Sequence, residues 1–160
     1  MPLSAGDSLP DVTLTTLRDG APTPVQSADV LGKGTVVLFG VPGAFTPGCS
    51  ERHFPTYTLR ADELKAKGVD TVACVSVNDA FVMGAWGDAL GSGDILMLGD
   101  GNGDLAEAMD LVLDGTGMGL GLRNQRYAAV LKDGVVENLW VEASPGDVTV
   151  SSAEEVLKNL

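Results

Sequence analysis

Apolar runs and helically spaced apolar positions take turns along the chain, and glycines and prolines separate them. Thr35-Val-Val-Leu-Phe-Gly-Val41 is continuously apolar and reads as a buried strand. Tyr57, Ala61 and Leu64 recur at i, i+4 and i+7, predicting a helix from Pro55, an N1-like restart, to about Lys67, with Gly68 as its stop. Val69–Val77 is β-branched and apolar throughout, the pattern of a strand covered on both faces. Asn78-Asp79 caps a helix that runs to about Leu90 and ends at Gly91. Ile95–Leu98 predicts a short strand, Asp104–Leu113 a helix, and Asp114–Gln125 a flexible glycine-rich connector. Arg126–Lys132 and Val135–Val141 flank Asp133-Gly134, a type I′ hairpin signal. Ser151 and Ser152 with Glu154 and Glu155 form a capping box opening a last helix to Leu160. Ahead of all this, residues 1–34 mix Val12-Thr-Leu14 with the turn residues Arg18-Asp-Gly20, Pro22 and Pro24. They predict an irregular hairpin or extension, then a brief helical turn near Ser27–Leu31.

Strand–helix–strand–helix–strand–helix, then an antiparallel hairpin and a closing helix, is an α/β order. It predicts a thioredoxin-like fold: a mixed central sheet, helices on both faces and an N-terminal extension. No internal repeat or linker interrupts the 160 residues, so one domain over 1–160 is expected.

Composition narrows the function classes. The longest apolar runs reach seven or so residues, against roughly 20 for a membrane span, so no membrane partner is expected. No secretory or organelle leader is visible, which makes the cytoplasm the expected location. The net charge of −12 repels phosphate backbones and anionic lipid; it argues against nucleic acid and serves solubility. Two cysteines, Cys49 and Cys74, are too few for a disulfide scaffold, and one histidine leaves no zinc site. Asp100-Gly-Asn-Gly-Asp104 resembles the start of a calcium loop but lacks its glycine and closing glutamate, with Leu105 and Leu111 there instead. Gly115, Gly117, Gly119 and Gly121 do not make a dinucleotide fingerprint. Neither a metal nor an organic cofactor is expected.

The chemistry concentrates at Val41-Pro-Gly-Ala-Phe-Thr-Pro-Gly-Cys-Ser50, between the first buried strand and the helix after it. Cys49 falls at or inside the first helical turn, where free N–H groups and the helix dipole favour an anion. A thiol placed there is biased toward the reactive thiolate. An ordinary thiol, pKa ~8.5, is only a few per cent ionised at neutral pH. Lowering that value to about 6 takes roughly 3.4 kcal/mol. A helix N-terminus gives at most ~2 kcal/mol, and a charge-assisted hydrogen bond of ~1.5–3 kcal/mol closes the gap. Complete ionisation raises the rate only about thirtyfold, so anything larger must come from holding substrate and stabilising the transition state.

A fixed cation is therefore required, and Arg52, Arg123 and Arg126 are the reasonable sources. Arg123 reads first as a solvated loop charge; Arg52, within the cysteine's own helix, points outward or supports Arg126. The Thr46 hydroxyl serves equally as a helix cap or as an acceptor for a proton on the oxygen under attack. Pro42 offers no N–H and fixes the turn. His53, four residues past Cys49, shares its helical face; a structural or dimer-contact role is favoured over a Cys–His hydrolase pair. Cys74 lies mid-strand and reads as an inert core thiol, too remote for a disulfide with Cys49 without large rearrangement.

Pro42-x-x-x-Thr46-x-x-Cys49 resembles the peroxidatic signature of the peroxiredoxins, and the full wording from Val41 to Ser50 is similar to the type II, or peroxiredoxin-five, group. The likeness extends from Gly6-Asp-Ser-Leu-Pro10 through Val75–Phe81 to the Asp133-Gly134 hairpin. It implies a thiol peroxidase acting on hydrogen peroxide and small alkyl hydroperoxides through a Cys49 sulfenic acid, in antioxidant defence. It implies that Pro42 shields the thiolate, that Thr46 acts catalytically, and that Arg126, opening its strand, reaches the sulfur and the peroxide. It also implies a homodimer through the active-site edge, with Phe45 and Phe81 as contacts. Some members carry a resolving cysteine near the C-terminus; Ser144–Ser152 here has none. That departure predicts a 1-Cys cycle with an external thiol as reductant, glutathione with glutaredoxin or else thioredoxin. The competing readings are a non-catalytic redox sensor and a glutaredoxin-like thiol transferase; the latter would want C-x-x-C or C-x-x-S and a proline within 122–128.

Overall fold

The computed structural model describes residues 2–160; Met1, the first residue of the predicted extension, lies outside the described residues. The extension is more regular than its sequence predicts. β1 (Thr13–Arg18) and β2 (Ala21–Gln26) form a two-residue hairpin, with Asp19 (φ 52°) and Gly20 (φ 76°) both left-handed as a type I′ turn requires. Pro22 and Pro24 are accommodated because β2 is an edge strand. A single helical turn, α1 (Ser27–Val30), leads to β3 (Thr35–Gly40).

A π-helical turn (Gly48–His53) then runs directly into α2 (Phe54–Ala66). Pro55 sits in the first turn of α2, where a missing N–H is least costly, so the α-helix restarts there after the cysteine turn as predicted. β4 (Thr71–Ser76), α3 (Ala80–Leu90) and β5 (Leu96–Gly99) follow. The Asp79 carboxylate caps α3 by accepting from Val82 N–H, and Gly91 closes it at φ 64°.

The predicted helix to Leu113 stops early. α4 covers Asp104–Ala108, and the chain turns through Asp110 (φ 55°) into β6 (Val112–Asp114). The predicted connector is also ordered: a 3-10 turn (Thr116–Met118) and β7 (Leu122–Asn124) fold back so that β6 and β7 pair as a small ribbon. β8 (Tyr127–Lys132) and β9 (Val135–Val141) form the expected hairpin at Asp133 (φ 48°) and Gly134 (φ 80°), and Arg126 lies just outside the strand. α5 (Ala153–Leu157) is capped by the Ser152 hydroxyl, which accepts from Glu155 N–H, and ends before Leu160.

The seven-stranded sheet has the order β2-β1-β5-β4-β3-β8-β9, parallel through β5-β4-β3 and antiparallel beyond. Residues alternate across β3: Val37 and Phe39 face a core with Tyr57, Leu64, Trp86 and Val156, drawn from α2, α3 and α5. Val36 and Leu38 face a second core with Leu31, Leu105 and Met109, beside α1 and α4. All four β3 side chains are fully buried, which is why the run shows no polar alternation. This mixed sheet with helices on both faces is the thioredoxin-like fold.

Candidate active site

The site sits at the carboxyl end of β3, where several polar side chains pin the following turn. Asn124, at the end of β7, donates from Nδ2 to the Val41 carbonyl (3.0 Å) and accepts from Val77 N–H (3.2 Å), tying the ends of β3 and β4 together. Ala44 N–H donates to Asn78 Oδ1 at 3.1 Å. Phe45 adopts φ 65°, a left-handed conformation that costs a non-glycine residue roughly 1–3 kcal/mol and holds only where its surroundings impose it. In the π turn the Phe54 N–H reaches the Cys49 carbonyl, one residue further than in an α-helix. Trp86, wholly buried, donates from Nε1 to Ser50 Oγ at 2.9 Å and so holds the cysteine's neighbour.

The Cys49 sulfur is fully buried and accepts from Arg126 Nη2 at 3.1 Å. Arg126, 3% exposed, also donates from Nε to the Pro145 carbonyl (3.0 Å) and from Nη1 to His53 Nδ1 (2.9 Å). A buried guanidinium is tolerated because its donors find acceptors in a fork that matches them. The third acceptor is imidazole. His53 donates from Nε2 to the Ser151 carbonyl (2.9 Å), an assignment fixed by the network, which leaves Nδ1 bare to face Arg126. Burial, reinforced by the Arg126 charge, lowers the His53 pKa to about 3, so the ring is neutral. Tyr57 stacks on Phe39 with centroids 3.8 Å apart and donates its hydroxyl to the same Ser151 carbonyl at 2.7 Å.

Structure and sequence agree on some residues and part on others. Arg126 is the cation at the sulfur. Arg123 is half-buried, not solvated: it donates from Nε to the Leu120 carbonyl (2.9 Å) and from Nη1 to that of Val77 (3.2 Å), bracing the β6–β7 ribbon. Arg52 is exposed and donates to the Gly146 carbonyl at 2.9 Å. Thr46 does not cap the π turn with its side chain; its hydroxyl donates back to the Gly43 carbonyl (2.7 Å), leaving its lone pairs to accept. Pro42 is buried in the turn. A dimer-contact role for His53 is overturned, because the ring is fully buried. Cys74 is buried opposite Phe39 in β4, and burial, followed by the nearby Cys49, pushes its pKa well above the ordinary thiol value. Sequence reasoning missed Asn124, Glu142 and Ser151, which act on the site through hydrogen bonds that no spacing in the chain announces.

A buried thiol under a guanidinium, at the end of a central strand in this sheet order, defines a thioredoxin-fold redox protein. The redoxin family model matches residues 4–157. The chain is 50% identical to the chloroplastic peroxiredoxin-2E-2 of Oryza sativa, over 99% of this chain and 72% of that protein. It is 44% identical to peroxiredoxin-2B of Arabidopsis thaliana, over 99% of both. Among solved structures, the reduced Prx3 of Vibrio vulnificus in complex with hydrogen peroxide superposes with a TM-score of 0.93 at 48% identity, over 98% of both chains. The chain belongs to the redoxin family and, within it, to the peroxiredoxins, the thiol peroxidases.

Proposed function

We propose that this peroxiredoxin reduces hydrogen peroxide and small alkyl hydroperoxides with Cys49 as nucleophile, in a 1-Cys cycle completed by an external thiol. The observation that carries this reading is the 3.1 Å contact between Arg126 Nη2 and Cys49 Sγ. The Cys49 thiolate attacks the terminal oxygen of the peroxide. A sulfur–oxygen bond forms as the O–O bond breaks, and the leaving oxygen takes a proton to become water or alcohol. Negative charge spreads from sulfur onto the leaving oxygen during this step, and Arg126 has further N–H groups to meet it. Thr46, its proton committed to the Gly43 carbonyl, accepts from the peroxide hydroxyl and orients it. Pro42 walls the turn and presents no competing donor. Full burial of the sulfur favours compact peroxides.

The sulfenic acid then condenses with an external thiol, releasing water. A second thiol displaces the mixed disulfide, returning Cys49 and an oxidised disulfide. Cys74 does not take this role, since its thiol is buried mid-strand and held protonated. Glutathione with glutaredoxin is the first reductant to test and thioredoxin the second. A homodimer fits the exposure of Phe45 (56%), in the cysteine turn, and Phe81 (58%), in the first turn of α3, two large apolar side chains brought near each other by the Ala44–Asn78 hydrogen bond between that turn and the loop before α3.

Peroxide consumption by wild type and Cys49→Ser, with each reductant in turn, tests the reading. Turnover by wild type alone is expected. Cys49 oxidation that never turns over with reductant in excess would point to a sensor.

A further inference from the structure

Arg126 is held by backbone that has little hydrophobic anchorage of its own. Residues 143–150 are mostly exposed, yet the Pro145 carbonyl takes Arg126 Nε and the Gly146 carbonyl takes Arg52. At the far end of the same stretch, the Ser151 carbonyl takes His53 Nε2, which fixes the ring that receives Arg126 Nη1. One carboxylate closes the loop. Glu142 Oε2 accepts from the successive backbone N–H groups of Thr149 (2.9 Å), Val150 (2.9 Å) and Ser151 (2.8 Å), and from Ser151 Oγ (2.6 Å). Its Oε1 accepts from Thr149 Oγ1 at 2.8 Å, and its own N–H donates to the Arg126 carbonyl at 2.9 Å. Three consecutive N–H groups converging on one oxygen make an anion nest, here filled from within the chain. Burial alone would raise the pKa of Glu142, but the Ser151 and Thr149 bonds outweigh it and hold the group below the ordinary carboxylate range.

We infer that Glu142 is a positioning residue for the peroxidase reaction. It touches neither sulfur nor substrate; by clasping 149–151 it sets the Pro145 and Ser151 carbonyls, and through them the guanidinium against Cys49. The inference rests on the reading that Cys49 and Arg126 carry the chemistry.

Two other roles are open to a carboxylate here, and they differ in what its neutralisation does to the sulfur. A purely structural clasp alters folding stability and leaves the sulfur of the folded protein as it was. A simple negative charge near the site opposes the thiolate, so removing it makes the sulfur more reactive at low pH. A positioning residue does the reverse, because the guanidinium loses its register and the thiolate its partner.

The experiment uses the full chain with Glu142→Gln. The readouts are kcat/KM for hydrogen peroxide with dithiothreitol as reductant, and the ratio of iodoacetamide alkylation of Cys49 at pH 6 to that at pH 8. The ratio cancels changes in access to the buried sulfur, and it is readable whether or not peroxide turns over. Failure of the peroxidase reading and failure of this inference are thereby separate results. We expect kcat/KM to fall about tenfold, as for loss of other outer supporting contacts, and the ratio to fall with it. Thr149→Val removes one donor and should shift both in the same direction by less; it decides the matter alone if Glu142→Gln does not fold. A ratio that is unchanged or raised in the folded variant would overturn the inference.

Discussion

His53 receives a 2.9 Å hydrogen bond from Arg126 at Nδ1 while giving one of 2.9 Å to the Ser151 carbonyl from Nε2. The ring works only when neutral, since protonation of Nδ1 would set one donor against another inside the core. This makes His53 a source of acid sensitivity. The unfolded chain takes up its proton near pH 6.5 and the folded one near pH 3. Between those values the unfolded state binds more protons, so stability is complete above about 6.5 and is lost as pH falls, by about 1.4 kcal/mol per unit. Urea unfolding at pH 7 and pH 5 should show a marked drop for wild type. His53→Gln, less stable at pH 7, should change much less across the same interval.

Arg126→Lys tests the fork. One ammonium cannot meet the Pro145 carbonyl, His53 Nδ1 and Cys49 Sγ in the planar arrangement that guanidinium supplies. We expect kcat/KM for hydrogen peroxide to fall about 10²–10³-fold, the range for removing a preorganised transition-state donor. Steady-state kinetics at saturating reductant measures it.

Gly48 is a second point of leverage. Its φ is not left-handed, so the backbone does not require glycine. A Cβ there would stand 3.2 Å from Arg126 Nη2 and 3.2 Å from Arg52 Nη2. Gly48→Ala should leave thermal stability near that of wild type, helical propensity offsetting the crowding. It should lower kcat/KM by about ten- to a hundredfold by displacing the guanidinium.

These residues also show what the chain alone makes legible. Burial of both faces of β3, the Gly91 and Asp133-Gly134 stops, and the cysteine turn are written locally and survive folding as predicted. Chemistry demanded a cation and left Arg52, Arg123 and Arg126 as candidates; the resemblance to the type II group pointed to Arg126. The β6–β7 ribbon was not legible: glycines at 115–121 predict a connector, and only packing reveals that Leu113 pairs with Arg123. The neutral state of His53 was hidden for the same reason. It depends on an arginine 73 residues away and a carbonyl 98 away, and nothing adjacent to His53 encodes either.

Cys74→Ala separates the 1-Cys cycle from an intramolecular one. Turnover with external thiol should stay within about twofold of wild type, with a stability cost on the order of 1 kcal/mol for the small cavity left in β4. Mass analysis of oxidised wild type should show no Cys49–Cys74 disulfide. Its appearance in high yield would refute the cycle.

Phe45→Glu and Phe81→Glu place charge on the exposed apolar edge beside the site. If a second copy covers that edge, sedimentation should show wild type as a dimer and each variant shifted toward monomer.

The most direct measurement is a single-turnover reaction of reduced protein with one equivalent of hydrogen peroxide, followed by stopped flow and read by intact mass and peptide mapping. Rapid addition of one oxygen at Cys49, reversed by added thiol and slowed at least a hundredfold in Arg126→Lys, is the predicted result. Oxygen arriving on Cys74, or at Cys49 equally fast in both proteins, would contradict it.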